Sequence, residues 1–161
     1  MDVVVFGVGN PSRGDDALGP RLMAELEAAA RPGVRLVEDF QLQVEHALDL
    51  DGAALALFID AGTGTPAPFT FAEIQPRASR AVSSHALDPA AVLQVFRDVR
   101  QTPPPPAFVL CVRGESFELG APLSEAAEHN LKAARQWLAN CLANPTPAHW
   151  RQLARDLALT R

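Results

Sequence analysis

Only two cysteines occur among the 161 residues, Cys111 and Cys141, and both lie in apolar stretches. Such cysteines indicate buried thiols in a reducing cytoplasm rather than disulfides or metal ligands. The sequence also lacks an apolar run of the ~18 residues that a membrane span needs, and Met1 to Val3 lacks the basic leader of a signal peptide. With 14 basic against 19 acidic residues, no positive surplus is available to bind nucleic acid or an anionic membrane. We therefore expect a cytoplasmic protein without either partner.

Several motifs of hydrolases and nucleotide-binding proteins are missing as well. There is no H-E-x-x-H, no C-x-x-C and no G-x-S-x-G nucleophile elbow. A G-x-G motif does follow the first apolar run, but Ser12 occupies the position of the third glycine of a dinucleotide fingerprint. Pro11 also removes a backbone N–H that would face a phosphate. A non-enzymatic α/β module that binds a nucleotide or a metal is therefore kept as the alternative function.

Short apolar runs alternate along the chain with stretches of helical periodicity. The predicted strands are Val3–Phe6, Val34–Glu38, Leu55–Ile59, Phe69–Ile74 and Ala107–Val112. The predicted helices begin near Leu18, near Val44, at Asp88-Pro89, at Ser124 and at Thr146-Pro147. This alternation predicts a three-layer α/β/α fold with a mostly parallel five-stranded sheet. We expect residues 1–143 to form the main domain and residues 144–161 to add a helical extension to it.

Polar residues that could carry chemistry follow three of these strands. In open parallel sheets functional groups gather at the carboxyl ends of the strands, which selects Asp16, Asp60 and His85. Asp15 is interpreted as a cap of the first helix, which leaves Asp16 free. Carboxylate and imidazole ligands suit divalent ions such as zinc and nickel, and three protein ligands leave coordination positions open. The structural alternative is a turn carboxylate for Asp60 and a hydrogen-bonding loop residue for His85.

The remaining histidines, His46, His129 and His149, lie in predicted helices and are interpreted as packed or solvated side chains.

The segment Val5–Pro20, with the sequence VFGVGNPSRGDDALGP, resembles the opening signature of the hydrogenase maturation protease family. Further blocks with the same resemblance follow in order: Phe58–Ala61, Ser84-His85 with Asp88-Pro89, and Gly114–Ser124. The likeness extends over residues 1–143. It implies an endopeptidase that removes a short C-terminal peptide from the precursor of a nickel–iron hydrogenase large subunit after nickel has been inserted.

The resemblance also implies roles for individual residues. The family's acid, aspartate and histidine that contact nickel correspond to Asp16, Asp60 and His85, which would then be the catalytic and metal-contacting residues of an aspartyl-type protease. Gly9 and Asn10 would shape the loop around the ion. The implied Ni²⁺ arrives with the substrate, and Cd²⁺ or Zn²⁺ could take its place in a crystal. The implied partner is the hydrogenase large-subunit precursor, and the protein is expected to be a monomer. A hydrolase that carries its own zinc is the rival within the enzyme class.

Overall fold

The computed structural model describes residues 2–78 and 87–160, which are built around one five-stranded sheet. Its strands are β1 (Val3–Val8), β2 (Val34–Asp39), β3 (Leu55–Gly62), β4 (Phe69–Ile74) and β5 (Ala107–Arg113). Their order across the sheet is β2-β1-β3-β5-β4. Strands β2, β1, β3 and β5 are parallel to one another, and β4 is antiparallel to β5 at the edge of the sheet. The predicted mostly parallel sheet is therefore confirmed.

Helices cover both faces of this sheet. The described residues contain α1 (Leu18–Ala29), α2 (Pro89–Arg100), α3 (Glu125–Ala143) and α4 (Pro147–Leu159), together with two 3₁₀ helices, Gly14–Ala17 and Val44–Leu50. One apolar core joins the sheet to α1, α3 and α4, and a second joins it to α2 and the Val44–Leu50 helix. The three-layer architecture is confirmed. None of the helices in the described part of the chain is long and apolar enough to cross a membrane.

The helix starts follow the sequence signals. The side chains of Asp88, Ser124 and Thr146 each accept a hydrogen bond from the backbone N–H three residues later, at 2.8, 3.1 and 3.2 Å. These bonds satisfy N–H groups that have no partner inside the helix. Helix α1 begins at Leu18, as predicted, so that Pro20 lies in its first turn, where a proline removes no helical hydrogen bond.

Side chains along β3 alternate between the two cores, and this alternation fixes where Asp60 points. Ala56 and Phe58 belong to the core under α2, whereas Leu57 and Ile59 belong to the other core. Phe58 stacks on Phe6 with ring centroids 4.6 Å apart. Because successive side chains of a strand point to opposite faces, Asp60 lies on the α2 face, beyond Phe58.

The C-terminal helix α4 packs on the body of the protein. Trp150 is fully buried, its indole N–H donates to the Cys141 carbonyl at 2.8 Å, and its ring packs against Phe108 at a centroid distance of 5.4 Å. Arg151 adds a two-bond ion pair with Glu73 on β4, at 2.9 Å for each bond. The amphipathic helix predicted for this segment is therefore present, and the domain boundary at residue 143 stays a prediction.

Antiparallel β4 corrects one step of the sequence argument. Its carboxyl end, Ile74, points to the opposite edge of the sheet from the ends of β1 and β3, so the loop after β4 does not begin beside Asp60. After β4 the described chain is found again near the edge at which β1 and β3 end. The Arg77 N–H donates to the Ala90 carbonyl in the first turn of α2, and the Leu87 N–H donates to the Leu42 carbonyl, both at 3.1 Å.

Candidate functional site

Asp15 is a structural carboxylate and not a helix cap. It is fully buried, and its two oxygens accept four hydrogen bonds: from the N–H groups of Glu115, Ser116 and Ser124 and from the Ser124 hydroxyl, at 2.6, 3.1, 2.7 and 2.7 Å. Helix α1 begins without a side-chain cap, so the expected capping role of Asp15 was wrong. Burial raises the pKa of Asp15, but these four bonds together outweigh it and leave the pKa below its usual value. The charge of Asp15 therefore holds the end of β5 and the start of α3 against the loop after β1.

Asp16, the next residue, turns its carboxylate toward its own loop. One oxygen accepts the Asn10 N–H at 2.7 Å, and the side chain is only partly buried. Gly9 makes this loop possible because its φ is +146°, and an added Cβ would lie 2.1 Å from the Asp16 carbonyl oxygen. The Gly9 N–H also donates to the Asp39 carbonyl at the end of β2, at 3.1 Å. The loop after β1 is thus closely fitted around Asp16.

Asp60 lies inside β3, one residue beyond the end predicted for this strand, and is near enough to Asp16 to be affected by its charge. Its carboxylate accepts the N–H of Ala61 at 2.7 Å. Burial raises its pKa to about 6, the Ala61 bond opposes this rise, and the negative charge of Asp16 adds to it. The fold therefore brings the two predicted carboxylates close enough to repel each other, and we call Asp16 and Asp60 the acid pair. Two adjacent carboxylates at an open sheet edge favour a cation.

His85, the third residue of the predicted site, lies outside the described residues, 2–78 and 87–160. Within those two ranges no three His, Cys, Asp or Glu side chains lie close enough together to hold a metal ion. Leu87, two residues after His85, is the nearest described residue on its C-terminal side. Through its hydrogen bond to Leu42, Leu87 is fixed next to the loop after β2.

Cys111 lies next to Asp60 and is bonded to Thr65, and no sequence motif predicts either contact. Cys111 pairs with Asp60 in the register of β3 and β5, and its sulfur shares a hydrogen bond with the Thr65 hydroxyl at 3.0 Å. Burial raises the pKa of the Cys111 thiol, the Thr65 bond lowers it, and the charge of Asp60 raises it further. A protonated thiol is a poor nucleophile. Cys111 is only partly buried, whereas Cys141 is buried as expected. Only the strand register could have revealed this neighbour.

His46 is packed, as expected, but it is also part of the loop structure that borders the acid pair. Its Nδ1 accepts the Gln43 N–H at 2.8 Å, and its Nε2 lies 3.4 Å from an Asp39 carboxylate oxygen. The imidazole ring also contacts Phe6 edge-on, at a centroid distance of 6.3 Å. These contacts fix the loop between β2 and the Val44–Leu50 helix. Asp39, the last residue of β2, accepts the Gly9 N–H with its carbonyl.

This geometry can be compared with known proteins. The hydrogenase maturating endopeptidase HybD from E. coli superposes with a TM-score of 0.73 and 22% identity, covering 90% of this chain and 94% of that one. The [NiFe] hydrogenase maturation protease HycI from Thermococcus kodakarensis gives 0.67 and 22%, covering 89% of this chain and 93% of that one. A hydrogenase 2 maturation peptidase from a Thaumarchaeota archaeon gives 0.63 and 23%, covering 89% and 99% respectively.

The chain has the fold of the hydrogenase maturation endopeptidases. This likeness covers nearly the whole length of each protein and confirms the fold that the opening motif implies. No protein-family model matches the sequence, and no curated protein matches it significantly. In this chain β1 and β3 are parallel neighbours, so the loop after β1 and the end of β3 lie at the same edge of the sheet, where the acid pair is.

Proposed function

We propose that this protein is an endopeptidase that removes a short C-terminal peptide from the nickel-loaded precursor of a nickel–iron hydrogenase large subunit. The nickel of the substrate serves as the recognition element, and Asp16, Asp60 and His85 contact it. The observation that carries the proposal is the acid pair: two carboxylates at the carboxyl ends of neighbouring parallel strands, close enough to affect each other's charge, in a fold shared with hydrogenase maturation endopeptidases.

The acid pair suits a transient ion. Carboxylate oxygens are ligands for first-row divalent cations, and a cation between Asp16 and Asp60 would relieve their mutual repulsion. Asp60 is partly buried on one side of this position, and Asp16 is oriented by the Asn10 N–H on the other. His85 would supply the imidazole, and the tail of the precursor would occupy the groove beside residues 38–42.

The acid pair also offers the chemistry of peptide hydrolysis. A metal ion beside the scissile bond polarises its carbonyl or activates a water molecule. A carboxylate within hydrogen-bond reach then accepts the proton of that water. Without the ion, burial and the charge of Asp16 raise the pKa of Asp60 to about 6. A bound cation would favour the ionised carboxylate, which is the form that can accept a proton.

The nucleotide-binding alternative fits the geometry less well. A phosphate bound at the G-x-G loop needs free backbone N–H groups at the helix N-terminus. Here the N–H of Asn10 is taken by the Asp16 carboxylate at 2.7 Å, and that carboxylate would repel a phosphate. Calorimetry with nucleotides and with Ni²⁺ or Cd²⁺ separates the two functions, since the peptidase should respond only to the metals.

The decisive experiment incubates the protein with nickel-loaded and nickel-free large-subunit precursors and measures the mass of the subunit. We expect a shortened C-terminus only with the nickel-loaded precursor, and no shortening by the His85→Ala variant. Equal cutting of both precursors would contradict nickel recognition. Elemental analysis of the purified protein tests the zinc-hydrolase rival, which requires about one tightly held zinc per chain.

Gly9→Ala is expected to lower cleavage of the nickel-loaded precursor by roughly 10- to 100-fold, because a misplacement of about 1 Å at a catalytic group has this effect. The added Cβ would lie 2.1 Å from the Asp16 carbonyl oxygen, so the loop that carries Asp16 must shift. Gly64→Ala, in the turn after β3, is the matched control, since its Cβ would meet nothing within 4 Å. Equal cleavage activity of Gly9→Ala and Gly64→Ala would show that cleavage does not depend on the position of the loop that carries Asp16.

A further inference from the structure

The carboxylate of Asp60 is held by far fewer bonds than that of Asp15. The Ala61 N–H donates to one Asp60 oxygen at 2.7 Å, and within residues 2–78 and 87–160 no further hydrogen bond reaches this carboxylate. The backbone of Asp60 is fixed in β3, but a single bond to the adjacent residue leaves the side chain more than one rotamer. The orientation of the carboxylate therefore depends on the side chains that pack beside it.

Cys111 is the neighbour of Asp60 on the adjacent strand. The two residues are paired in the register of β3 and β5, so their side chains leave the sheet on the same face, at the strand spacing of about 4.8 Å. The charge of Asp60 is near enough to the thiol to raise its pKa. The Cys111 side chain therefore borders the Asp60 carboxylate directly.

Thr65, in the turn after β3, fixes the Cys111 side chain. Its hydroxyl shares a 3.0 Å hydrogen bond with the Cys111 sulfur, and its carbonyl accepts the Arg113 Nη1–H at 3.3 Å. The Arg113 N–H also donates to the Pro68 carbonyl at 3.0 Å, further along the same turn. The turn is therefore bonded to β5 through both the side chain and the backbone of Thr65.

Gly62 shows independently how closely Thr65 and Cys111 are packed. It lies two residues after Asp60 in β3, so it is on the same face of the sheet. A Cβ added to Gly62 would lie 2.5 Å from the Thr65 hydroxyl oxygen and 2.8 Å from the Cys111 sulfur. A larger residue would push apart the two groups that share the hydrogen bond, so glycine at this position allows their contact beside Asp60.

We propose that Thr65 and Cys111 are positioning residues for peptide cleavage: Thr65 holds Cys111, and Cys111 keeps the Asp60 carboxylate in its working orientation. This inference rests on the proposed function. Neither residue contacts the substrate in this arrangement, so their loss should lower kcat and leave KM nearly unchanged. Side chains that orient the groups of a metal site contribute about 10- to 100-fold to affinity or activity.

The test compares variants that keep or lose the hydrogen bond between these two side chains. Thr65→Val has nearly the shape of threonine without its hydroxyl, whereas Thr65→Ser keeps the hydroxyl; Cys111→Ala and Cys111→Ser form the matching pair. We expect kcat on nickel-loaded precursor to fall about 10-fold for Thr65→Val and Cys111→Ala and to stay close to wild type for the two serine variants. Thr63→Val, the same change at an exposed position in the same turn, is the control and should cleave like the wild type.

A double variant distinguishes one shared role from two separate ones. If Thr65 acts through Cys111, Thr65→Val combined with Cys111→Ala should lose about 10-fold, as each variant does alone, whereas independent losses would multiply to about 100-fold. Circular dichroism checks that the variants are folded; if Thr65→Val does not fold, the Cys111→Ala and Cys111→Ser pair carries the test. A crystal structure of the folded variant should show the Asp60 carboxylate turned while β3 keeps its place.

Several outcomes would overturn the inference while the proposed function stands, in an assay in which the wild type cuts the precursor and Asp60→Asn does not. They are a wild-type kcat in Thr65→Val and Cys111→Ala, losses that multiply in the double variant, and a rise in KM in place of the fall in kcat. An equal loss in the serine variants would also reject the role of the hydrogen bond. A precursor left uncut by the wild type would reject the proposed function, and this inference with it.

Discussion

Replacement of Asp60 by Asn is expected to reduce cleavage of nickel-loaded precursor by at least about 100-fold, the lower end of what a general base contributes. Asparagine has nearly the same shape and can still accept the Ala61 N–H with its Oδ1. It carries no charge to bind nickel and cannot take a proton from water. The loss should appear in single-turnover rates with saturating precursor, measured by mass spectrometry.

The same variant should be more stable than the wild type at neutral and alkaline pH. The folded state raises the pKa of Asp60 from 3.8 to about 6 through burial and the charge of Asp16. The native state therefore favours the protonated carboxyl, and wild-type stability falls as the pH rises from below 3.8 through about 6. Asparagine avoids this loss, so we expect it to raise the free energy of unfolding by about 1–2 kcal/mol at pH 8, after allowance for partial exposure of the carboxylate. The gain should be small at pH 3.5.

Two controls make the Asp60 result specific. Asp2→Asn changes the same charge at an exposed position before β1, at the opposite edge of the sheet, and should alter neither activity nor stability. Asp16→Asn should remove part of the stability gain of Asp60→Asn in the double variant, since the charge of Asp16 is one of its causes. Wild-type activity in Asp60→Asn, or a variant less stable than the wild type at pH 8, would contradict the assigned role.

Asp15→Asn is expected to act in the opposite way, by lowering the free energy of unfolding by about 3 kcal/mol near neutral pH. The buried carboxylate accepts four hydrogen bonds, and an amide must turn its own NH₂ group toward at least one of those donors. Each buried polar group left without a partner costs about 1–3 kcal/mol, and more when the lost acceptor was charged. Urea unfolding of the two proteins measures the difference. At about 2–4 °C per kcal/mol for a chain of this size, the melting temperature should fall by roughly 6–12 °C.

The pH dependence of this loss follows from the depressed pKa of Asp15. Its stabilising contribution is present above the unfolded value of 3.8 and is lost as the pH falls through the lower folded value, so wild type and variant should converge in acid. Glu27→Gln, an exposed charge removal on α1, is the control and should change stability by less than about 0.5 kcal/mol. A loss below about 1 kcal/mol for Asp15→Asn would show that the four bonds do not hold the loops together.

The variants Asp15→Asn and Asp60→Asn distinguish a carboxylate that stabilises the fold from one that acts in catalysis. Asp15→Asn should lose activity only as far as the protein unfolds, whereas Asp60→Asn should lose activity while it remains folded. The family resemblance treats Asp15 and Asp16 as one acidic motif. Their hydrogen bonds divide it into a carboxylate that holds the fold and a carboxylate that faces the site.

Much of the fold could be predicted from local signals. Each apolar run that was predicted as a strand is one, and the caps at Asp88, Ser124 and Thr146 start their helices as predicted. These features depend on residues within a few positions of one another, so they can be read from the order of the residues. The pairing of Asp16 with Asp60 was predicted on the same basis, because both follow strands that are parallel in the sheet.

Other features depend on contacts between distant residues, and these were missed or misassigned. The cap expected of Asp15 failed because its partners lie about 100 positions away, at Glu115 and Ser124. The antiparallel direction of β4 was also missed, since a six-residue apolar strand has the same pattern in either direction. The Thr65–Cys111 contact beside Asp60 depends on the register of two strands that lie far apart in the chain.

The sequence by itself determined the residues that can meet at the carboxyl edge, because the alternation of strands and helices sends those residues to one side of a parallel sheet. Only the tertiary structure decided which carboxylate is buried and which one is left at the site. The physical reason is that burial and long-range hydrogen bonds set the charge and orientation of a side chain, and neither is a property of its neighbours in sequence.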